Sequence, residues 1–280
     1  MAKAASGREL LRRAGRRLRE LRMVGRALVD RDHPILAQMI VVRRCNLACA
    51  YCNEYDKTSA PVATEEALRR VDRLAALGTS IVTCTGGEPM LHPGLEEILR
   101  RIRRHGMIAG LITNGTFLQP ERIERLNDAG LDHLQISIDN VRPDAVSVKS
   151  LKLLDRKLEH LARLARFRVN INSVLGAGTT PEDVETITRR ARALGFSTST
   201  GVLHDGDGQL RPLGPAEREV HARVASSSRG FSRIRGFEKN LVEARANDWR
   251  CHAVGSAAVS MLKPGGRRRR QTIRGSSLAV

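Results

Sequence analysis

The sequence predicts an α/β fold: a partial (β/α)6 TIM-like barrel with parallel strands, preceded by an amphipathic N-terminal helix. Short β-branched runs alternate with helical segments from residue 38 onward, which is the order of parallel strands joined by crossover helices. Glycine, proline and small polar residues mark the ends of these runs. The 280 residues are 41% hydrophobic, which is enough for one large core. A doubly wound sheet is the alternative arrangement.

The first element is a basic amphipathic helix over residues 8–29. Its leucines recur at helical spacing between arginines, namely Leu11, Leu18, Leu21 and Leu28. The pair His33-Pro34 follows, and a residue before proline resists helical geometry. Three roles stay open: the helix packs its leucines on the domain beside it, lies on an acidic membrane surface, or serves as an organelle-type targeting peptide.

Strands and helices then alternate to the end of the predicted barrel. Strands are predicted over 39–42, 80–84, 107–112, 133–138, 168–174 and 197–202, and helices over 64–77, 94–105, 120–130, 150–165 and 181–194. Thr64 and Thr180 are the expected N-caps, and Gly78 and Gly195 the expected stops. Since parallel strands end at one edge of a sheet, the loops after them form the expected functional face.

Four segments are expected along the chain: an N-terminal helix in 1–33, a core domain in 34–210, a helical segment in 211–251, and a basic, disordered tail in 252–280. The net charge of +18 is concentrated at the two ends, a distribution that argues against nucleic acid as the substrate. No stretch is apolar enough to span a bilayer, and arginines interrupt every candidate signal core. A cytoplasmic location is therefore predicted.

Three of the five cysteines lie close together, as Cys45, Cys49 and Cys52, in the loop after the first strand. Clustered cysteines without an export signal predict a metal site rather than disulfides. Three thiolates on one loop can hold three irons of a [4Fe–4S] cluster and leave the fourth iron open. A zinc ion with a fourth ligand such as His33 or His92 is the alternative, and a loop without metal is the remaining one.

Further motifs occur at the strand ends in a fixed order. Tyr51 precedes the last cysteine of the C-x3-C-x2-C motif, and the later strands end in Gly86-Gly87-Glu88-Pro89, Thr113-Asn114-Gly115, Ser137-Ile138-Asp139-Asn140 and, within the fifth strand, Asn170-Ile171-Asn172-Ser173-Val174. This set resembles the signature of the radical S-adenosylmethionine (radical SAM) superfamily over residues 38 to about 205. Asn140 stands where the family has a glycine.

The resemblance implies two cofactors. Cys45, Cys49 and Cys52 would hold a [4Fe–4S] cluster, and the residues that would contact S-adenosylmethionine are Tyr51, Gly86, Gly87, Glu88, Ser137 and Asn172. The Glu88 carboxylate would meet the ammonium group, while the two glycines would let the backbone approach the ligand. Ser137 and Asn172 suit the ribose hydroxyls or the carboxylate, and the backbone around Tyr51 would meet the adenine. Lys149 is a further candidate for the carboxylate.

The resemblance also implies the reaction. The reduced cluster would cleave S-adenosylmethionine to methionine and a 5′-deoxyadenosyl radical, which abstracts hydrogen from the substrate. An electron donor such as a flavodoxin or ferredoxin is implied as a partner. The substrate is unknown and is expected to be a small molecule, a lipid-like molecule or a peptide. The alternatives are a radical SAM RNA-modifying enzyme, suggested by charge alone, and a degenerate, non-catalytic cluster-binding protein.

The remaining candidates stand alone in the sequence. Cys84 lies in the second strand and is expected to be a buried structural residue. The segment 204–208 is expected to form a turn or to contact substrate. No cysteine follows Cys251 in this chain, so an auxiliary cluster is not expected. The tail is either natural or the product of a truncation or a shifted reading frame.

Overall fold

A computed structural model describes residues 7–30, 33–52, 55–176, 179–202, 213–227 and 242. The strands are β1 (Leu36–Val42), β2 (Ile81–Gly86), β3 (Ile108–Thr113), β4 (His133–Ser137), β5 (Arg168–Leu175) and β6 (Ser197–Val202). The helices are α1 (Gly7–Val29), α2 (Thr64–Ala76), α3 (Leu95–Arg104), α4 (Pro120–Ala129), α5 (Leu151–Leu164), α6 (Pro181–Ala193) and α7 (Pro215–Ser227), and a 3₁₀ turn covers Pro89–Leu91.

The six strands form one sheet in the order β1-β2-β3-β4-β5-β6, and every neighbouring pair is parallel. This order confirms the predicted partial barrel. It excludes the doubly wound alternative, because a doubly wound sheet reverses its strand order partway along the chain. All the strands therefore end at the same edge, where the cysteine loop and the other strand-end motifs lie.

The core lies between the outer face of the sheet and the crossover helices. Alternate strand residues such as Val82, Leu134 and Ile171 point outward and are buried, and they pack with helix residues such as Ile98 and Leu158. Residues of the opposite parity are half-exposed along β2, β4 and β5. The inner face of the partial barrel is thus open to a ligand, while burial of the outer face stabilises the fold through the hydrophobic effect.

The helix ends follow the sequence signals with one exception. Thr180 caps α6 and accepts a hydrogen bond from the Asp183 N–H at 3.1 Å, as predicted. The prediction of Thr64 as the cap of α2 is wrong, because the helix already begins at Thr64 and Ala63 occupies the cap position without a side-chain hydrogen bond. The acidic Glu65 and Glu66 remain in the first turn, where the helix dipole favours them.

Helix α1 lies across the amino ends of the strands and docks through its charged side. Arg19 Nη2 is 2.6 Å from the carboxylate of Asp132, which precedes β4, and Glu20 is 2.9 Å from Arg168 at the start of β5. Leu18 and Leu21 are 68% and 69% exposed. Of the three roles left open, packing on the domain is wrong for Leu18, Leu21 and Leu28, the last of which is also exposed, because ion-pair partners at the strand starts hold the opposite side of the helix.

The predictions for Cys84 and for the C-terminal part of the chain have different outcomes. Cys84 is fully buried in β2, and burial raises the pKa of its thiol to about 12, as expected of a structural cysteine. The segment 204–208, Cys251 and the tail 252–280 lie outside the described residues. Of the predicted segment 211–251, the described residues are 213–227, which contain α7, and Val242. Across the described residues, no helix combines the length and apolarity that a membrane span requires.

Candidate active site at the carboxyl ends of the strands

The cysteine loop leaves the end of β1 and is closed by backbone hydrogen bonds. The Cys45 N–H donates to the Asp56 carbonyl, and the Asp56 N–H donates to the Arg43 carbonyl, both at 3.0 Å. Lys57 Nζ donates to the carbonyls of Cys45 and Leu47 at 3.2 and 2.8 Å. These hydrogen bonds join the two ends of the loop. They involve only groups of the chain, so the loop is closed without a bound metal.

All three cysteine thiols line one cavity of about 150 Å³. Its other wall comes from the ends of the strands and the loops that follow them, with Leu47, Tyr55, Thr85, Gly86, Gly87, Ile112, Thr113, Asn114, Ser137 and Lys149. Burial raises the pKa of the Cys45 thiol, and a hydrogen bond from the Leu47 N–H works against that rise. The cavity therefore brings three sulfur donors close to the amine of Lys149 and to several hydrogen-bonding groups.

The geometry argues against the zinc alternative. Both ring nitrogens of His92 are engaged by backbone groups, the Val62 carbonyl at 2.7 Å and the Gly94 N–H at 3.0 Å. His33 lies before β1 and contacts the Asp30 carbonyl, at the end of the strand away from the cysteines. A multi-iron cluster needs no fourth protein ligand and spaces its thiolates more widely.

Gly86 and Gly87 bring the end of β2 against the backbone of the cysteine loop. A Cβ on Gly86 would lie 2.0 Å from the Val42 carbonyl oxygen, and one on Gly87 would lie 2.2 Å from the Arg43 carbonyl oxygen. The Gly87 N–H donates to the Val42 carbonyl at 2.9 Å. Gly86 also has a φ of 141°, which side chains rarely tolerate. The two glycines are therefore required by the chain itself, in addition to any ligand.

Glu88 is fully buried directly behind the cavity wall. Its Oε1 accepts hydrogen bonds from the Met90 N–H at 2.9 Å and the Thr113 hydroxyl at 2.7 Å, and its Oε2 accepts one from the Asn114 N–H at 2.8 Å. Burial raises the pKa of the Glu88 carboxyl, and these hydrogen bonds oppose the rise. Glu88 joins the β2 and β3 loops, and its neighbours Gly87 and Asn114 line the cavity.

A second buried carboxylate holds the far side of the cysteine loop. Asp139 Oδ2 accepts hydrogen bonds from the Tyr51 hydroxyl at 2.6 Å and the Ser147 hydroxyl at 2.8 Å, and it lies 3.1 Å from Lys149 Nζ. Burial, followed by the charge of Asp139, raises the pKa of Tyr51. Ser147 in turn lies 3.6 Å from the Cys49 sulfur. The network therefore connects the lysine at the cavity wall to a cysteine.

Polar side chains line the inner face of the sheet beside the cavity. Ser137 of β4, Asn172 of β5 and Ser199 of β6 stand in register, so their side chains share one face. The Ser199 hydroxyl donates to Asn172 Oδ1 at 2.8 Å and accepts from Asn170 Nδ2 at 2.7 Å. Ser137 lines the cavity, and the row extends from it across the sheet.

The structure brings together seven of the ten residues that the sequence suggested for the site, with Lys149 among the seven. Cys45, Cys49, Cys52, Gly86, Gly87 and Ser137 line the cavity, whereas Glu88 lies behind its wall, Tyr51 turns its hydroxyl to Asp139, and Asn172 stands next to Ser137 on the inner face. Thr85, Tyr55 and Ile112 were missed. Thr85 directly precedes the glycine pair, and Ile112 directly precedes Thr113-Asn114-Gly115; these positions next to strand-end motifs were the available sequence signal.

Comparison with known proteins places this site in a family context. The model of the Radical SAM superfamily matches residues 39–208, which is more than half of the chain. An AdoMet-dependent heme synthase of Methanosarcina barkeri is 38% identical over 103 residues, which are 36% of this chain and 30% of that protein. A PqqA peptide cyclase of Granulibacter bethesdensis is 29% identical over 213 residues, or 72% of this chain and 56% of that protein.

The chain thus spans between about a third and just over half of the length of these two curated relatives. Among solved structures, SuiB from Streptococcus suis superposes with a TM-score of 0.56 at 13% identity, over 78% of this chain and 48% of that one. An identity this low speaks to the shared fold alone.

Proposed function

Because this chain belongs to the radical SAM superfamily, as its strand-end motifs predicted, we propose that it is an enzyme that cleaves S-adenosylmethionine reductively and abstracts hydrogen from its substrate. The observation that supports this most directly is that one cavity at the carboxyl edge of the sheet gathers the expected groups. Three thiols, the glycine pair and Lys149 line it, and Glu88 is buried behind it.

The proposed roles follow the positions of the side chains. Cys45, Cys49 and Cys52 hold a [4Fe–4S] cluster, which when bound supplies the electron that splits S-adenosylmethionine into methionine and a 5′-deoxyadenosyl radical. Lys149 carries positive charge into the cavity, which suits the methionine carboxylate. The Asp139 network keeps Lys149 and the loop residue Tyr51 in place.

The remaining contacts concern the ammonium group of the methionine moiety, the ribose and the adenine. Glu88 attracts the ammonium group from behind the wall, and its raised pKa is lowered again when a positive charge arrives. The backbone at Gly86 and Gly87 lies in the wall beside it. Ser137 and Asn172 offer a hydroxyl and an amide to the ribose along the inner face, and the backbone around Tyr51 meets the adenine.

We propose a peptide as the substrate. The inner face carries amide and hydroxyl groups, with Asn170, Asn172 and Ser199 on β5 and β6, and such groups suit the carbonyls and N–H groups of a peptide backbone. The PqqA peptide cyclase is a relative whose name states a peptide substrate. A lipid-like substrate would displace water from these half-exposed polar groups and would offer them no hydrogen bonds in return, which is unfavourable.

The expected partners and location belong to the same proposal. We propose a flavodoxin or ferredoxin as the electron donor and a cytoplasmic location for the enzyme. Peripheral contact with a membrane through α1 is compatible with this location.

Anaerobic reconstitution with iron and sulfide tests the proposal, with dithionite and S-adenosylmethionine added afterwards. We expect the absorption of a [4Fe–4S] cluster and formation of 5′-deoxyadenosine. Both should vanish in Cys49→Ala and persist in Cys84→Ala, because Cys84 is buried in the sheet core. A reconstituted protein without a [4Fe–4S] spectrum would rule out the proposed chemistry.

A further inference from the structure

Helix α1 presents an apolar face to solvent, here named the outward leucine face and formed by Leu18, Leu21, Leu28 and Val29. These side chains are 68%, 69%, 77% and 89% exposed. At 100° per residue they fall within one sector of the helix. Four large exposed apolar side chains on one helix face exceed the scattered exposure that is normal for a surface.

Arginines border the outward leucine face on both sides. Arg17 lies at one border and Arg22 at the other, and both are exposed. The single acid in residues 14–29 is Glu20, which points to the body of the protein and pairs with Arg168 at 2.9 Å. The exposed side of α1 is therefore apolar along its middle and cationic along its edges.

We propose that α1 docks this protein on an anionic lipid bilayer. The outward leucine face enters the interface between headgroups and acyl chains, and the guanidinium groups of Arg17 and Arg22 meet lipid phosphates. An apolar strip with arginines on both borders is the composition of helices that lie in this interface. From Leu18 to Val29 the strip measures about 16 Å along the axis. A second copy of α1 would cover the leucines but would bring the arginines of both helices together.

The docked orientation follows from the place of α1 in the fold. The helix is held at the amino ends of the strands, through Asp132 and Arg168. The cysteine cavity lies at the carboxyl ends, roughly 20 Å away along strands of about six residues. The cavity therefore faces away from the bilayer and receives its substrate from the aqueous side.

Vesicle flotation of the full chain tests the proposal. We expect the protein to float with vesicles of equal parts phosphatidylglycerol and phosphatidylcholine, and to remain behind with vesicles of phosphatidylcholine alone. Raising the salt concentration should weaken the binding, because screening acts on the arginine contacts. Equal recovery with both vesicle types would overturn the proposal.

Two pairs of variants separate the apolar contribution from the charged one. The double variant Leu18→Gln/Leu21→Gln should bind anionic vesicles more than about tenfold more weakly, while Leu153→Gln, an exposed leucine on α5, should bind like the unmodified protein. Arg17→Gln/Arg22→Gln should lose most of the preference for anionic lipid, while Arg100→Gln, exposed on α3, should keep it.

Sedimentation distinguishes membrane docking from dimerisation through the same face. Sedimentation of the unmodified protein and of the leucine double variant reveals a second copy on this face: a dimer that the leucine substitutions dissociate would overturn the proposal, as would leucine variants that still float. Formation of 5′-deoxyadenosine should be equal in all these variants. A failed vesicle experiment therefore leaves the proposed chemistry standing, and a failed cofactor assay leaves membrane docking standing.

Discussion

At the scale of single residues, Glu88 has a structural role, and we propose that it also attracts the ammonium group of S-adenosylmethionine. Three donors of the chain converge on its carboxylate, from Met90, Thr113 and Asn114, and its burial is complete. A buried carboxylate that accepts several hydrogen bonds is held in one orientation. An ammonium group in the cavity would be attracted by this charge across the wall that Gly87 and Asn114 form.

Substitution of Glu88 should separate these two tasks. Glu88→Gln places an amide NH₂ opposite one of the three donors, so the free energy of unfolding should fall by about 1–3 kcal/mol. Affinity of the reconstituted protein for S-adenosylmethionine should fall about tenfold or more. Thr113→Val removes two hydrogen bonds, the one donated to Glu88 and the one accepted from the Gly115 N–H, and it keeps the Glu88 charge. It should therefore lower the free energy of unfolding without the loss of cofactor affinity. Unchanged cofactor affinity in Glu88→Gln, measured by calorimetry, would restrict Glu88 to its structural task.

Asp139 holds a cation and two hydroxyls in a site that excludes water. Its side chain is 1% exposed, and that of Lys149 is 12% exposed. Removal of one partner from a buried ion pair leaves the other charge without compensation. Asp139→Asn should therefore lower the free energy of unfolding by about 3 kcal/mol. Urea denaturation of the metal-free chain measures this change. Asp128→Asn, on a 70% exposed side chain, should stay within about 0.5 kcal/mol.

At the scale of elements, the contact between the β2 loop and the cysteine loop depends on the absence of a side chain. Gly87→Ala would place its methyl group 2.2 Å from the Arg43 carbonyl oxygen and 2.5 Å from that of Arg44, and neither backbone group can yield without moving the loop. The variant should therefore incorporate much less iron on reconstitution. Gly25→Ala in α1 meets nothing within 4 Å, so its iron content should equal that of the unmodified protein.

Helix capping offers a second test among the elements. Thr180 accepts a hydrogen bond at the start of α6, whereas Thr64 makes no capping bond in α2. Thr180→Ala should therefore lower the free energy of unfolding by about 1 kcal/mol, and Thr64→Ala should lower it less. Denaturation of both variants side by side measures the difference. Equal losses would contradict the assignment of the caps.

At the scale of the whole molecule, the hydrophobic core and the proposed cluster site occupy different places. The large core lies between the sheet and the helices, while the cysteines lie in a loop that backbone bonds already close. Simultaneous substitution of Cys45, Cys49 and Cys52 by alanine should keep the far-ultraviolet circular dichroism and shift the melting temperature of the metal-free chain by less than about 4 °C. Ile98→Ala, fully buried in the core, should lower it by about 10 °C.

The sequence by itself determined the features that depend on local periodicity. Alternation of strand and helix predicted the parallel sheet, and Thr180 with Pro181 predicted the start of α6, because a cap bonds groups only three residues away. The three cysteines and the glycine pair were found for the same reason: each set is contiguous, and the positions of both at strand ends brought them to one edge of the sheet.

Only the tertiary structure decided the contacts between distant segments. Asn114 meets Glu88 across 26 positions and Tyr51 meets Asp139 across 88, and no local pattern encodes such pairs. It also decided that α1 turns Leu18, Leu21 and Leu28 outward, since Arg19 and Glu20 have their partners at Asp132 and Arg168. An amphipathic helix has two usable faces, and the choice between them lies with the charges that the folded sheet presents.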